Sequence, residues 1–137
     1  MINMPVAEVL QRHDESLFPL DASFRAFAKR HHLTFIQNEK ESVGRSLRWG
    51  HGSHGLIQLF LSDLDRGYWK LWLCCVQDRG DEFFWKTQYL VDGRPLEAFA
   101  DRLPGLLEDG LKLVNDWRMH PEQLEFAAKR TPIPRLG

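Results

Sequence analysis

Clustered positive charge is absent from this chain. Its 137 residues hold 18 Lys and Arg against 19 Asp and Glu, a formal net charge of −1, with no basic block anywhere. Nucleic-acid binding driven by counterion release needs gathered cations, so that class of partner is not expected. No apolar run approaches the ~18–20 residues that span a bilayer, so no membrane-crossing helix is expected. The opening MINMPVAEVLQRHDES has no basic segment followed by an apolar one, so it does not read as a secretion leader. Cysteine is scarce too: Cys74 and Cys75 are the only two, and they are adjacent. Neighbours on a strand point to opposite faces, so a bridge between them would be strained. They read as reduced thiols in a cytoplasmic protein. Cys-x-x-Cys pairs, phosphate-cradling glycine loops and a Gly-x-Ser-x-Gly nucleophile elbow are all missing.

What the chain does have is aromatic residues, five Trp and nine Phe among them, and a long middle section of short apolar runs divided by turns. From Val43 to Val91 the runs SVGRSLRWG, GLIQLFLSDLD, YWKLWLCCVQDRG and EFFWKTQYLV follow one another. With Leu33 to Ile36 ahead of them they predict an antiparallel meander of about five strands. Period-two alternation marks a sheet with one buried face. Parity assigns Ile57, Leu59, Leu61, Trp69, Leu71, Leu73 and Cys75 to that face. Continued along 83–91, it adds Phe83, Trp85, Tyr89 and Val91. The Asp and Gly of SDLDRG and QDRGD suit tight turns.

Helices are predicted on both sides of the meander. Pro5 to His13 makes a short first helix. Ala22 to about His32 makes a second, capped by Asp21, with Phe24, Phe27, Ala28 and His31 on one stripe. After Asp92-Gly93 the apolar positions from Leu96 to Trp117 keep helical spacing. That segment predicts a long helix, kinked or divided at Pro104, lying across one sheet face. The N-terminal helices then belong at the sheet edge or on the other face. A last helix is expected from Pro121 to Arg130. The fold class is α+β, with residues 1–131 as a single domain and 132–137 as a flexible tail. The order helix–meander–helix resembles, in architecture alone, bacterial secretion chaperones and the immunity proteins that neutralise toxins.

Candidate chemistry is sparse. His51 and His54, three apart in the glycine-rich loop GHGSHG, have metal-ligand types but lack further ligands nearby. Glycine-flanked loops are also poor frames for a rigid site. No catalytic residue, metal site or cofactor is assigned, and the weight of the sequence is against an enzyme. The more informative surface is the mixed sheet face. With odd positions buried, the even side displays Arg48, Tyr68, Lys70, Trp72, Phe84 and Lys86, residue types enriched at interface hot spots. These are the candidate partner-binding residues. Trp72 is expected to be exposed in the monomer.

Arg45 breaks the pattern, since parity places it on the apolar side between Val43 and Leu47. A buried Arg must be paired. It is expected to reach solvent at the sheet edge, or to meet an acid on the C-terminal helix. The first functional expectation is therefore a non-enzymatic cytoplasmic protein-binding domain of adaptor, chaperone or immunity type, engaging another protein or a second copy of itself, with no nucleic acid and no membrane. The alternative is a small-molecule binder or enzyme, with a pocket between sheet and C-terminal helix near Arg45, His51 and His54.

Overall fold

The computed structural model describes residues 5–39, 42–50 and 54–129. Among them run three α-helices, α1 (Val6–Ser16), α2 (Phe18–His31) and α3 (Leu103–Met119). The strands are β1 (Thr34–Gln37), β2 (Gly44–Arg48), β3 (His54–Asp63), β4 (Tyr68–Arg79), β5 (Glu82–Pro95) and β6 (Glu125–Lys129). They form one sheet in the order β1-β2-β3-β4-β5-β6, and every pair is antiparallel. The α+β meander is thus present, with one strand more than the sequence suggests.

The extra strand is β6. Glu125-Phe126-Ala127-Ala128-Lys129 follows a single 3-10 turn, Pro121–Gln123, and pairs with the first part of β5. Its residues favour a helix in isolation, but the unpaired ladder of β5 outweighs that weak preference. Leu124, buried just ahead of it, anchors the approach. Part of the expected last helix, and the whole of the tail 132–137, lie outside the described residues.

Pro104 divides the C-terminal segment. Two 3-10 turns, Leu96–Ala98 and Ala100–Arg102, precede α3, and Pro104 falls in the helix's first turn. A missing N–H costs nothing there, because those donors have no intrahelical partner. At ~1.5 Å per residue, the 17 residues of α3 lie along the middle of the sheet. Gly110 eases the approach. A Cβ at that position would stand 2.8 Å from Leu73 Cδ2, with Ile57 and Leu90 next nearest.

The N-terminal helices share that same face. Phe24 of α2 stacks on Phe35 of β1 at 5.9 Å, and His13 of α1 meets Trp69 of β4 edge-on at 6.1 Å. Leu17, fully buried between α1 and α2, closes the corner. The domain therefore has two layers. The core between them holds Leu47, Ile57, Leu59, Trp69, Leu71, Leu73, Phe99, Leu103, Leu107 and Val114. Each fully buried Leu or Ile contributes about 1.5–3 kcal/mol by leaving water.

Arg45 lies inside this core with no exposed side-chain surface, so it neither reaches the edge nor meets α3. Its acids come from the N-terminal helices instead. Nε donates to Asp21 Oδ1 at 2.6 Å, and Nη1 donates to Asp14 Oδ1 at 2.8 Å, Asn38 Oδ1 at 3.0 Å and the Gly44 carbonyl at 2.9 Å. Nη2 donates to Asp21 Oδ2 at 3.3 Å and to the Asp14 carbonyl at 3.5 Å. Every guanidinium nitrogen is thus satisfied, as burial of the charge demands. Asp21 occupies the first turn of α2 and serves this pair rather than the helix end. Burial pulls the Asp14 carboxyl upward, but donation from Arg45 and Asn38 outweighs it and holds Asp14 below its usual value.

Candidate functional site

With all three helices on one side, no helix among the described residues covers the other side of the sheet. Its side chains follow from the register. One row runs Ser46, Gln58, Trp72, Tyr89, and the next runs Arg48, Leu56, Cys74, Thr87. Beyond them His54, Val76 and Trp85 form a third row, and Gly44, Phe60, Lys70 and Asp92 a fourth. Large residues here are half-buried by their neighbours or open to water. Tyr89 is 46% and Trp85 is 42% exposed. Small ones such as Ser46 and Cys74 lie beneath them and are buried.

Four of the six candidate contact residues share this face: Arg48, Tyr68, Lys70 and Trp72. Arg48 pairs with Glu39, and Lys70 reaches Asp92 at 3.2 Å while sitting 4.9 Å above the Tyr89 ring. The Arg66 guanidinium lies 5.9 Å over Tyr68. Trp72 is half-buried rather than exposed, opposite Gln58 on one side and Tyr89 on the other.

Phe84 and Lys86 are on the helix side, contrary to the parity argument. The cause is a β-bulge. Leu71 pairs with Val91 but Trp72 pairs with Tyr89, so Leu90 is an extra residue in β5. Leu90 turns inward beside Val91, within reach of Gly110. Upstream of it the alternation is shifted by one place. Phe84 accordingly packs on Phe126 at 5.8 Å beneath the Arg79 guanidinium at 4.2 Å, and Lys86 lies opposite Cys75. In exchange Phe83, Trp85 and Tyr89, expected in the core, stand on the uncovered face. That side is more aromatic than sequence parity indicates. Period-two counting could not find these residues; the pair Leu90-Val91 followed by Asp92-Gly93 is the one hint that pairing is irregular there.

The residues of the alternative reading do not converge. Arg45 is on the helix face and fully engaged, whereas His54 is exposed at the start of β3 on the opposite face. Five positions of β3 separate His54 from Leu59, the register partner of Arg45. His51 lies outside the described residues. His54 does border a shallow depression of about 370 Å³ with Val76, Asp78 and Phe83. Among the described residues no group of three or more His, Cys, Asp or Glu is placed to hold a metal.

Both cysteines are free and buried. Burial first, and then the neighbouring Cys75, push the Cys74 thiol up to about 11 against a partial opposing pull from Arg48. Burial likewise raises Cys75, with Arg118 acting the other way. Thiols held protonated are poor nucleophiles.

No family model matches the chain, and comparison with curated proteins and with solved structures gives no match either. What the site can do must be argued from its own geometry. Among the described residues no helix is long and apolar enough to cross a membrane.

Proposed function

We propose that this chain is a non-enzymatic protein-binding domain, of adaptor, chaperone or immunity type, whose docking surface is the helix-free face of the sheet. One observation supports this above the others. All three helices pack on the opposite face, so among the described residues no helix covers the aromatics Phe60, Tyr68, Trp72, Phe83, Trp85 and Tyr89. Trp85 and Tyr89 are exposed and the other four half-buried, and aromatic surface gathered in this way is unusual unless something occupies it. Trp and Tyr, with Arg48 beside them, are the residue types that dominate binding energy at interfaces.

The small-molecule reading loses its anchor, because Arg45 is spent on Asp14 and Asp21. Two buried protonated thiols suit a reducing compartment, which fits a cytoplasmic location.

The test uses Trp85→Ala and Arg48→Ala. Neither side chain belongs to the core, so melting temperatures should stay within about 5 °C of wild type. Association with a protein partner or a second copy should weaken by roughly 30-fold or more for a hot-spot residue. Binding undiminished in both variants would remove this face from consideration. A melt that collapses would show the residues to be structural.

A further inference from the structure

We infer that the occupant of the uncovered face is a second copy of this chain, packed sheet to sheet about a two-fold axis near Trp72 and Thr87. The inference rests on the reading of that face as a docking surface, and it selects the partner from the chemistry displayed there.

Charge is the first consideration. The cations of the face are neutralised within the chain, Arg48 by Glu39 and Lys70 by Asp92. No field of one sign is left to select a partner of the other sign. A neutral face suits a neutral partner, and this chain carries a net charge of only −1.

The second consideration is self-complementarity. A two-fold interface brings groups near the axis against their own copies. Charged groups there would repel. The central positions are Gln58, Trp72 and Tyr89 in one row and Leu56, Cys74 and Thr87 in the next. Gln, Thr and Tyr each carry both a donor and an acceptor, so each can bond to an identical residue. Leu and Trp need only apolar contact.

Shape and area agree. β3 and β4, of 10 and 12 residues, form the long axis of the face. At ~3.3 Å per residue and ~4.8 Å between strands, β3 to β5 present a footprint of roughly 14 by 33 Å, about 480 Å². The short β1, β2 and β6, of 4, 5 and 5 residues, bring it to about 700 Å². A standard interface covers ~800 Å² per partner, so this face is of the right size. Two twisted sheets also pack against each other readily, about 10 Å apart with strands within ~30°.

Sedimentation equilibrium across the micromolar range tests the inference. The wild-type mass should rise with concentration from 16.0 kDa towards twice that value. Acrylamide quenching gives a readout that needs no variant: Trp85, 42% exposed in the single chain, should become shielded over the same range. Thr87→Lys places like charges across the axis and should weaken the dimer by ~100-fold or more. Thr87→Glu should do the same, and an equimolar mixture of the two variants should recover a dimer. A wild-type chain that stays monomeric overturns the inference, as does a dimer untouched by either Thr87 variant. In both cases the docking face itself is still judged separately, by whether Trp85→Ala and Arg48→Ala abolish binding of a different protein.

Discussion

Arg45→Met removes the only cation of a buried ionic cluster while keeping most of the side chain's volume. The guanidinium is fully buried, and the side chains of Asp14 and Asp21 are 19% and 15% exposed. Without Arg45 two largely buried carboxylates face each other, with Asn38 and Gln37 still donating to Asp14. Breaking a buried pair by deleting one partner costs about 3–5 kcal/mol. For a domain of this size that corresponds to a fall in melting temperature of roughly 10–20 °C. Urea unfolding followed by tryptophan fluorescence would measure it, with the slope checked for constancy. The pH dependence carries a second signature. In the wild type Asp14 is held below its usual value of 3.8, so its contribution is present above that value and disappears as pH falls through the lowered one. In Arg45→Met burial acts on Asp14 without Arg45 to offset it, and protonation then relieves the variant. The gap between the two proteins should therefore narrow between pH 7 and pH 4. A triple variant that also carries Asp14→Leu and Asp21→Leu should regain most of the loss, because apolar replacements of buried ionic clusters are often neutral or better. A loss under about 1 kcal/mol at pH 7, or a gap that does not change with pH, would refute this account of the cluster.

Three further outcomes follow from close contacts and from the thiols. A Cβ at Gly44 would stand 2.2 Å from the Leu59 carbonyl oxygen, a backbone atom that cannot turn aside. Gly44→Ala should therefore destabilise by about 3 kcal/mol or more in urea. At Gly110 the nearest atom is the end of the Leu73 side chain, at 2.8 Å. Gly110→Ala should thus stay within about 1 kcal/mol of wild type, since the helical gain of Ala offsets the crowding. Native protein at pH 8 should react slowly with a thiol reagent at both cysteines, because burial raises both and places Cys74 near 11. Labelling should accelerate to the rate of a free thiol only in denaturant; fast native labelling would contradict the burial described for the strand.

How far the sequence could be read depended on where its regularities held. β3 alternates from Leu56 to Leu61 and β4 from Tyr68 to Cys75, so Ile57, Leu59, Leu71 and Leu73 were assignable to the core from spacing alone. In β5 a single extra residue at Leu90 defeats the same method, and Trp85 and Tyr89 are found in solvent. Arg45 was visible as an anomaly, but its partners were not. Asp14 and Asp21 are 31 and 24 positions away, and nothing local marks them as a pair. β6 shows a third limit: a segment of moderate helix preference becomes a strand because the open edge of β5 is there to receive it. The helix arrangement belongs to the same class. Amphipathic stripes indicate that α2 and α3 bury one side each, yet not that both bury it against the same face. That arrangement decides whether the opposite face is free.

The bulge in β5 gives one strand two possible surfaces. The ladder passes over Leu90, so Val91 faces the helices while Tyr89 stands opposite Trp72 on the open side. Removing Leu90 would keep that pairing and leave Trp85 and Tyr89 outward. The same chain with Leu90 drawn into regular pairing would instead turn Phe84, Lys86 and Gln88 outward and draw Trp85 and Tyr89 in under the helices. One residue passed over or paired thus decides which set of side chains meets solvent, with no change of composition or hydropathy.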